Sequence, residues 1–175
     1  MSARREQPGS SACAHASAHA GSAGQPTVLA VCISAERGVQ KTPVPEIRLV
    51  ENHGVAGDGH AGDWHRQVSL LADESAEMMR AKGIVVGPGG FGENIVTRHI
   101  AVHELPLGRR LTIGRDVLLE VTQIGKVCHT PCAIGRLAGE CIMPTEGIFC
   151  RVLRGGIVRP GDAIHVVSNG DSRPQ

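Results

Sequence analysis

The chain has 175 residues, enough to bury one core and too few for two large domains. Its 18 basic and 17 acidic side chains nearly cancel, leaving a net charge of +1, which excludes the basic excess of nucleic-acid or anionic-membrane binders. Two Phe, one Trp and no Tyr offer few faces on which bases could stack, so a small-molecule ligand is expected and no nucleic acid.

Residues 1–25 are Ala, Ser, Gly, His and a few charges, with no Leu, Ile, Val or Phe before Val28. Such a segment buries too little to offset its ordering entropy and is expected to be a disordered tail. Its His15 and His19, four apart, and its Cys13 carry no assignment. The abundance of Gly (23) and Pro (10) between short Val, Ile and Leu runs predicts turns joining short strands, and therefore an all-β class.

Val28 to Ser34 is apolar and β-branched enough for a first, buried strand. Pro43 and Pro45 exclude a helix at Lys41–Pro45 and suit an extended edge. Ile47 to Val50 resumes as a strand. Gly54 to Gln67 follows, with four glycines in nine residues and then His60, His65, Arg66 and Gln67 as polar heads. It reads as a binding loop, the alternative being a solvated connection whose Trp64 plugs the core. It lacks the spacing of a Walker or dinucleotide loop.

Val68 to Leu71 is a short strand leading to Asp73, a predicted N-cap for a helix over Glu74–Lys82 that Gly83 stops. Met78 and Met79 fit core packing better than metal binding. Pro88 to Ile95 lets backbone approach a ligand closely, with Asn94 offering donors and acceptors, or is a structural turn. Strands follow at Ile95–Thr97, Arg110–Ile113 and Val117–Ile124, with turns at Pro106–Gly108 and Gly114–Asp116. After the cysteine cluster come Ile148–Leu153, a turn at Arg154–Gly156, Ile157–Val158, a turn at Pro160–Asp162 and Ala163–Val167. One folded domain is expected over residues 26–168, with a polar tail at 169–175.

Four of the six cysteines lie between Cys128 and Cys150. No apolar run approaches the roughly 18 residues of a membrane span, and no secretory signal is evident. A cytoplasmic protein is expected, in which thiols stay reduced and serve as metal ligands, nucleophiles or core groups. Cys32 and Cys150 fit the core, and Cys141 stays open. Cys128, His129, Cys132 and Cys141 offer enough ligands for a structural zinc site, although their spacing departs from the usual Cys-x2-Cys or Cys-x4-Cys pairs. A Cys128–Cys132 redox pair lacks the thioredoxin spacing.

Gly57-Asp58-x-His60-Ala61-Gly62, Arg66 to Leu71, Gly92-Glu93-Asn94, Leu119 to Gln123, Cys128-His129-x-x-Cys132, Cys141 to Phe149 and Gly161-Asp162-x-Ile164 in this order resemble the MOSC domain, the module at the C-terminus of molybdenum cofactor sulfurases, in its stand-alone bacterial form. The resemblance spans about Val28 to Val167. It implies an all-β, barrel-like fold with one or two short helices, and a protein that binds the molybdenum cofactor or carries sulfur for it, in cofactor maturation or delivery or in molybdenum-dependent oxidoreduction. Cys132 matches the family cysteine and is the implied metal ligand or persulfide carrier, its thiol tuned by Lys126 and His129. His60, His65, Arg66, Gln67, Glu93, Asn94, Cys128 and His129 are the implied cofactor-binding residues, with Arg66 suited to a phosphate. Full sulfurases add a pyridoxal phosphate domain, and no pyridoxal phosphate site is expected within this chain. A sulfur-donating desulfurase or a molybdoenzyme is then an implied partner. The additional N-terminal domain of the amidoxime-reducing relatives has no counterpart in residues 1–25.

Overall fold

The computed structural model describes residues 24–126 and 141–168. Expectations for the two tails and for Cys128, His129 and Cys132 lie outside the described residues.

Eleven strands are described: β1 (Thr27–Ile33), β2 (Thr42–Val44), β3 (Ile47–Val50), β4 (Gly54–Val55), β5 (Val68–Ala72), β6 (Ile95–Arg98), β7 (Arg110–Ile113), β8 (Val117–Ile124), β9 (Ile148–Arg154), β10 (Gly156–Val158) and β11 (Ile164–Val166). A single α-helix, α1 (Asp73–Ala81), and one 3-10 turn (Val102–Glu104) complete the described elements. Eight strands form one sheet in the order β11-β7-β8-β9-β5-β6-β1-β2, and β10-β3-β4 form a second. Only β5 and β6 run parallel in the large sheet, joined by the crossover that contains α1.

The large sheet curls until its margins meet. Val28 N–H donates to the Asp162 carbonyl at 2.9 Å, Gly161 N–H to the Val28 carbonyl at 2.8 Å and Ile164 N–H to the Pro26 carbonyl at 2.8 Å. These bonds tie the start of β1 to the segment leading into β11, while β2 pairs with the other end of β1. The result is the expected barrel-like all-β fold. The Pro43-containing segment is an edge strand, as a residue without an N–H requires. No helix among the described residues is long and apolar enough to cross a membrane.

Alternation builds the main core. Val117, Leu119 and Val121 of β8 and Ile47 and Leu49 of β3 point inward, with less buried neighbours between them. All five residues of β5 are buried because both of its faces are covered. Val68, Leu70 and Ala72 join the main core, whereas Leu71 joins a second cluster with Met79, Phe91, Ile142, Met143 and Phe149.

Two local expectations are corrected. Asp73 is the first residue of α1, not its cap; Ala72 occupies the cap position without a side-chain bond. The Asp73 carboxylate is instead taken by Arg80 at 2.8 Å and Arg98 at 2.7 Å. The methionine pair divides, Met79 being 1% exposed in the second cluster and Met78 53% exposed. Gly83 does follow the helix in the left-handed conformation expected of its stop, at φ 87°.

Candidate functional site

Three glycine-bearing segments converge over the second cluster and leave a cleft of about 550 Å³, its open mouth included. Its described lining comprises Gly38 and Val39, His60 and Arg66, Ser69, Phe91, Gly92 and Asn94, Lys126, and Cys141, Met143 and Phe149. The lining holds three basic side chains, His60, Arg66 and Lys126, and no carboxylate among the described residues. Its chemistry therefore suits an anionic ligand that also carries apolar surface.

Arg66 is held at the cleft between two rings. Its guanidinium carbon lies 4.7 Å from the Trp64 ring centroid and 5.7 Å from that of Phe149. Aromatic faces hold the planar head without consuming its hydrogen bonds. Among the described residues Arg66 has no carboxylate partner and its buried Nε has no acceptor. A buried donor of this kind is ordinarily satisfied by water, an ion or a ligand.

Below His60 sits a buried ion pair. Lys41 Nζ lies 2.5 Å from Asp58 Oδ2, and the Asp58 carboxylate also accepts from the backbone N–H of Ser34 at 3.2 Å and of His60 at 2.9 Å and from Asn94 Nδ2 at 3.0 Å. Burial works to raise the Asp58 carboxyl, but the bonds from His60 and Lys41 outweigh it and hold the group well below the ordinary carboxylate range. His60 stacks on Trp64 with 6.4 Å between centroids and 9° between planes. Trp64 returns its Nε1–H to the His60 carbonyl at 2.7 Å, so the tryptophan braces the loop and does not plug the core.

The expected binding residues separate into distinct environments. His60, Arg66 and Asn94 line the cleft. Asn94 is fully engaged, its Oδ1 accepting from the Ser69 backbone and hydroxyl and its Nδ2 serving Cys32 and Asp58. Glu93 is buried beneath the turn that ends in Phe91, accepting the N–H of Gly89 at 2.7 Å and of Phe91 at 3.0 Å. Burial pushes its carboxyl up to about 7 despite those bonds. Gln67 is turned into the core, where its Oε1 accepts the Val152 N–H at 2.9 Å. His65 is exposed and its Nε2 meets Gln123 Oε1 at 2.9 Å. Gln67, Glu93 and His65 are thus not among the described cleft-lining residues, and Cys128, His129 and Cys132 lie outside the described residues.

Sequence reasoning missed Lys41, whose role rests on a partner 17 positions away. Asp58 stands in the Gly57-Asp58-x-His60 motif, but the sequence assigned it no role. Cys141, left open by the sequence, lines the cleft, whereas Cys32 and Cys150 are fully buried. The segment that carries Cys132 leaves from Lys126 and returns at Cys141, and both of these flanks line the cleft. Among the described residues no group of three or more His, Cys, Asp or Glu could hold a metal ion.

Known structures share this architecture. The YuaD protein of Bacillus subtilis aligns with a TM-score of 0.67 at 18% identity, covering 82% of this chain and 96% of its own. YiiM of Geobacillus stearothermophilus aligns at 0.63 with 19% identity over 84% of this chain and 77% of its own, and YiiM of Escherichia coli at 0.56 with 19% identity over 82% and 70%. At such identities the likeness is one of fold. No curated protein matches the chain. The sequence profile of the MOSC domain matches residues 57–165, from the Asp58 loop through the cleft-lining segments to β11, and the chain therefore belongs to the MOSC domain family.

Proposed function

We propose that this protein binds the molybdenum cofactor in the cleft and acts through one thiolate, Cys132, in cofactor maturation or delivery or in molybdenum-dependent oxidoreduction. The observation that carries the proposal is Arg66, a half-buried guanidinium between two ring faces with an orphaned Nε, in a cleft whose charged lining is cationic. That donor set fits a phosphate-bearing pterin: Arg66 and Lys126 bind the anion, and Phe91 and Phe149 offer apolar surface to the flat body. The cofactor, when bound, supplies a soft metal centre suited to a thiolate ligand. Lys126, six residues before Cys132, brings positive charge to a segment whose cysteine works as thiolate. In the sulfur-carrying form of the function Cys132 receives its sulfur from a separate desulfurase.

Co-expression with the cofactor pathway, followed by elemental analysis for molybdenum and fluorescence of the oxidised pterin, tests this reading. Wild type is expected to carry both, Arg66→Met to lose at least about tenfold in pterin retention, and Cys132→Ala to lose molybdenum. Equal molybdenum in Cys132→Ala overturns the ligand role, and equal pterin in Arg66→Met overturns the cleft assignment. Stoichiometric zinc in place of molybdenum selects a structural site built from Cys128, His129, Cys132 and Cys141.

A further inference from the structure

The wall of the cleft that holds Cys141 and Met143 is built on a tight turn at 142–147. The N–H groups of Thr145 and Glu146 both donate to the Ile142 carbonyl, at 3.1 and 2.8 Å. Gly147 lies so close under Met143 that a Cβ there would meet the sulfur at 2.7 Å. The turn also meets the opposite flank of the cleft, since Gly125, next to the cleft-lining Lys126, donates its N–H to the Gly147 carbonyl at 2.7 Å. Ile142 and Met143 sink into the second cluster. Apolar packing of that kind is non-directional, so by itself it does not fix where the turn stands.

Glu146 supplies the directional contact. Its Oε2 accepts the Ser75 hydroxyl at 2.9 Å, across 71 positions of sequence. Ser75 is 3% exposed, on the face of α1 that also buries Ala76 and Met79. A buried hydroxyl needs a partner, and among the described residues Glu146 is the one it bonds. His103 Nδ1, on the 3-10 turn, lies 3.2 Å from the same oxygen. That contact is an ion pair only while the imidazole is protonated, and it lacks hydrogen-bond geometry. The Ser75 bond is therefore the one that fastens the turn. Glu146 itself is not among the described residues that line the cleft.

We infer that Glu146 is a positioning residue: through the bond it accepts from Ser75 it fixes the turn at 142–147 to α1, and so sets where Cys141 and Met143 stand against a ligand in the cleft. The fastening is a property of the ligand-free protein and does not depend on the cofactor reading; its effect on ligand retention rests on that reading.

Iodoacetamide labelling of ligand-free protein, followed by peptide mass spectrometry, reads the wall at Cys141, while the buried Cys32 and Cys150 report whether the whole fold has opened. Glu146→Ala is expected to label Cys141 about tenfold faster than wild type, with Cys32 and Cys150 still protected. An unchanged Cys141 rate, or an equal acceleration of all three, overturns the inference. Ser75→Ala is expected to behave as Glu146→Ala does, and a wild-type rate there removes the bond from its role. Glu146→Gln keeps an oxygen for the Ser75 hydroxyl and is expected to restore the wild-type rate; a rate like that of Glu146→Ala overturns the assignment to this bond. These two variants decide the matter should Glu146→Ala not fold. After co-expression with the cofactor pathway, pterin retention is expected to fall about tenfold in Glu146→Ala and to recover in Glu146→Gln; equal retention in Glu146→Ala removes the effect on the ligand. A wild type without pterin counts against the cofactor reading alone and leaves the labelling result standing.

Discussion

Arg66 and Gln67 are neighbours with opposite fates. Both precede β5 and depart from its alternation: Val68, Leu70 and Ala72 face the main core and Ser69 and Leu71 the cleft side, yet Arg66 reaches the cleft and Gln67 enters the core. The cysteines divide by burial in the same way. Burial drives the thiol of Cys32 up to about 12, with the charge of Glu93 adding to it, and drives Cys150 up as well. Neither is a nucleophile in the native state. Alkylation of native protein followed by peptide mass spectrometry is expected to leave both unmodified until the chain is unfolded. Labelling of either at the rate of an exposed thiol would contradict their placement.

Among the elements, α1 shows how a local signal is overruled. An Asp before a helical run is a good cap by composition, yet Asp73 pairs with Arg98 of β6, 25 residues on, and with Arg80. The turn below the cleft depends on Gly89, which sits at φ 81° and receives the Lys41 N–H on its carbonyl at 2.8 Å. A Cβ there would overlap the Lys41 carbonyl oxygen while occupying a left-handed conformation. Gly89→Ala is therefore expected to cost roughly 2–4 kcal/mol, measured by urea unfolding, and to disturb the Lys41–Asp58 pair with it. A variant as stable as wild type would show that the turn is not held as described.

For the whole molecule, the carboxyls make stability depend on pH in two directions. Glu93, raised by burial from an ordinary 4.5 to about 7, keeps in the folded protein a proton that the unfolded chain has released. Its contribution is complete below about 4.5 and is lost as pH rises through about 7. Asp58 and Asp73 are both held low, so their contributions are present above the ordinary 3.8 and are lost as pH falls below it. Denaturant unfolding across pH is expected to show a decline between about 5 and 8 in wild type that Glu93→Gln flattens. The same variant is expected to lose about 1–3 kcal/mol at pH 5, because an amide turns a donor toward the N–H of Gly89 or Phe91. An equal decline in both proteins would remove Glu93 as its source.

The sequence by itself determined the family and the longer strands, though not β4, which opens the stretch read as a binding loop. Alternation along β3 and β8, apolar runs bounded by Gly and Pro, and the ordered motifs from Gly57 to Ile164 are properties of the chain that packing respects. It also singled out His60, Arg66 and Asn94, which the fold brings to one cleft. Only the tertiary structure decided that Glu93 serves the backbone, that Gln67 serves the core and that Lys41 stands under His60. The physical reason is range. Periodicity and turn chemistry act over a few residues, whereas a buried carboxylate, amide or ammonium takes whichever partner the closed sheet brings within about 3 Å.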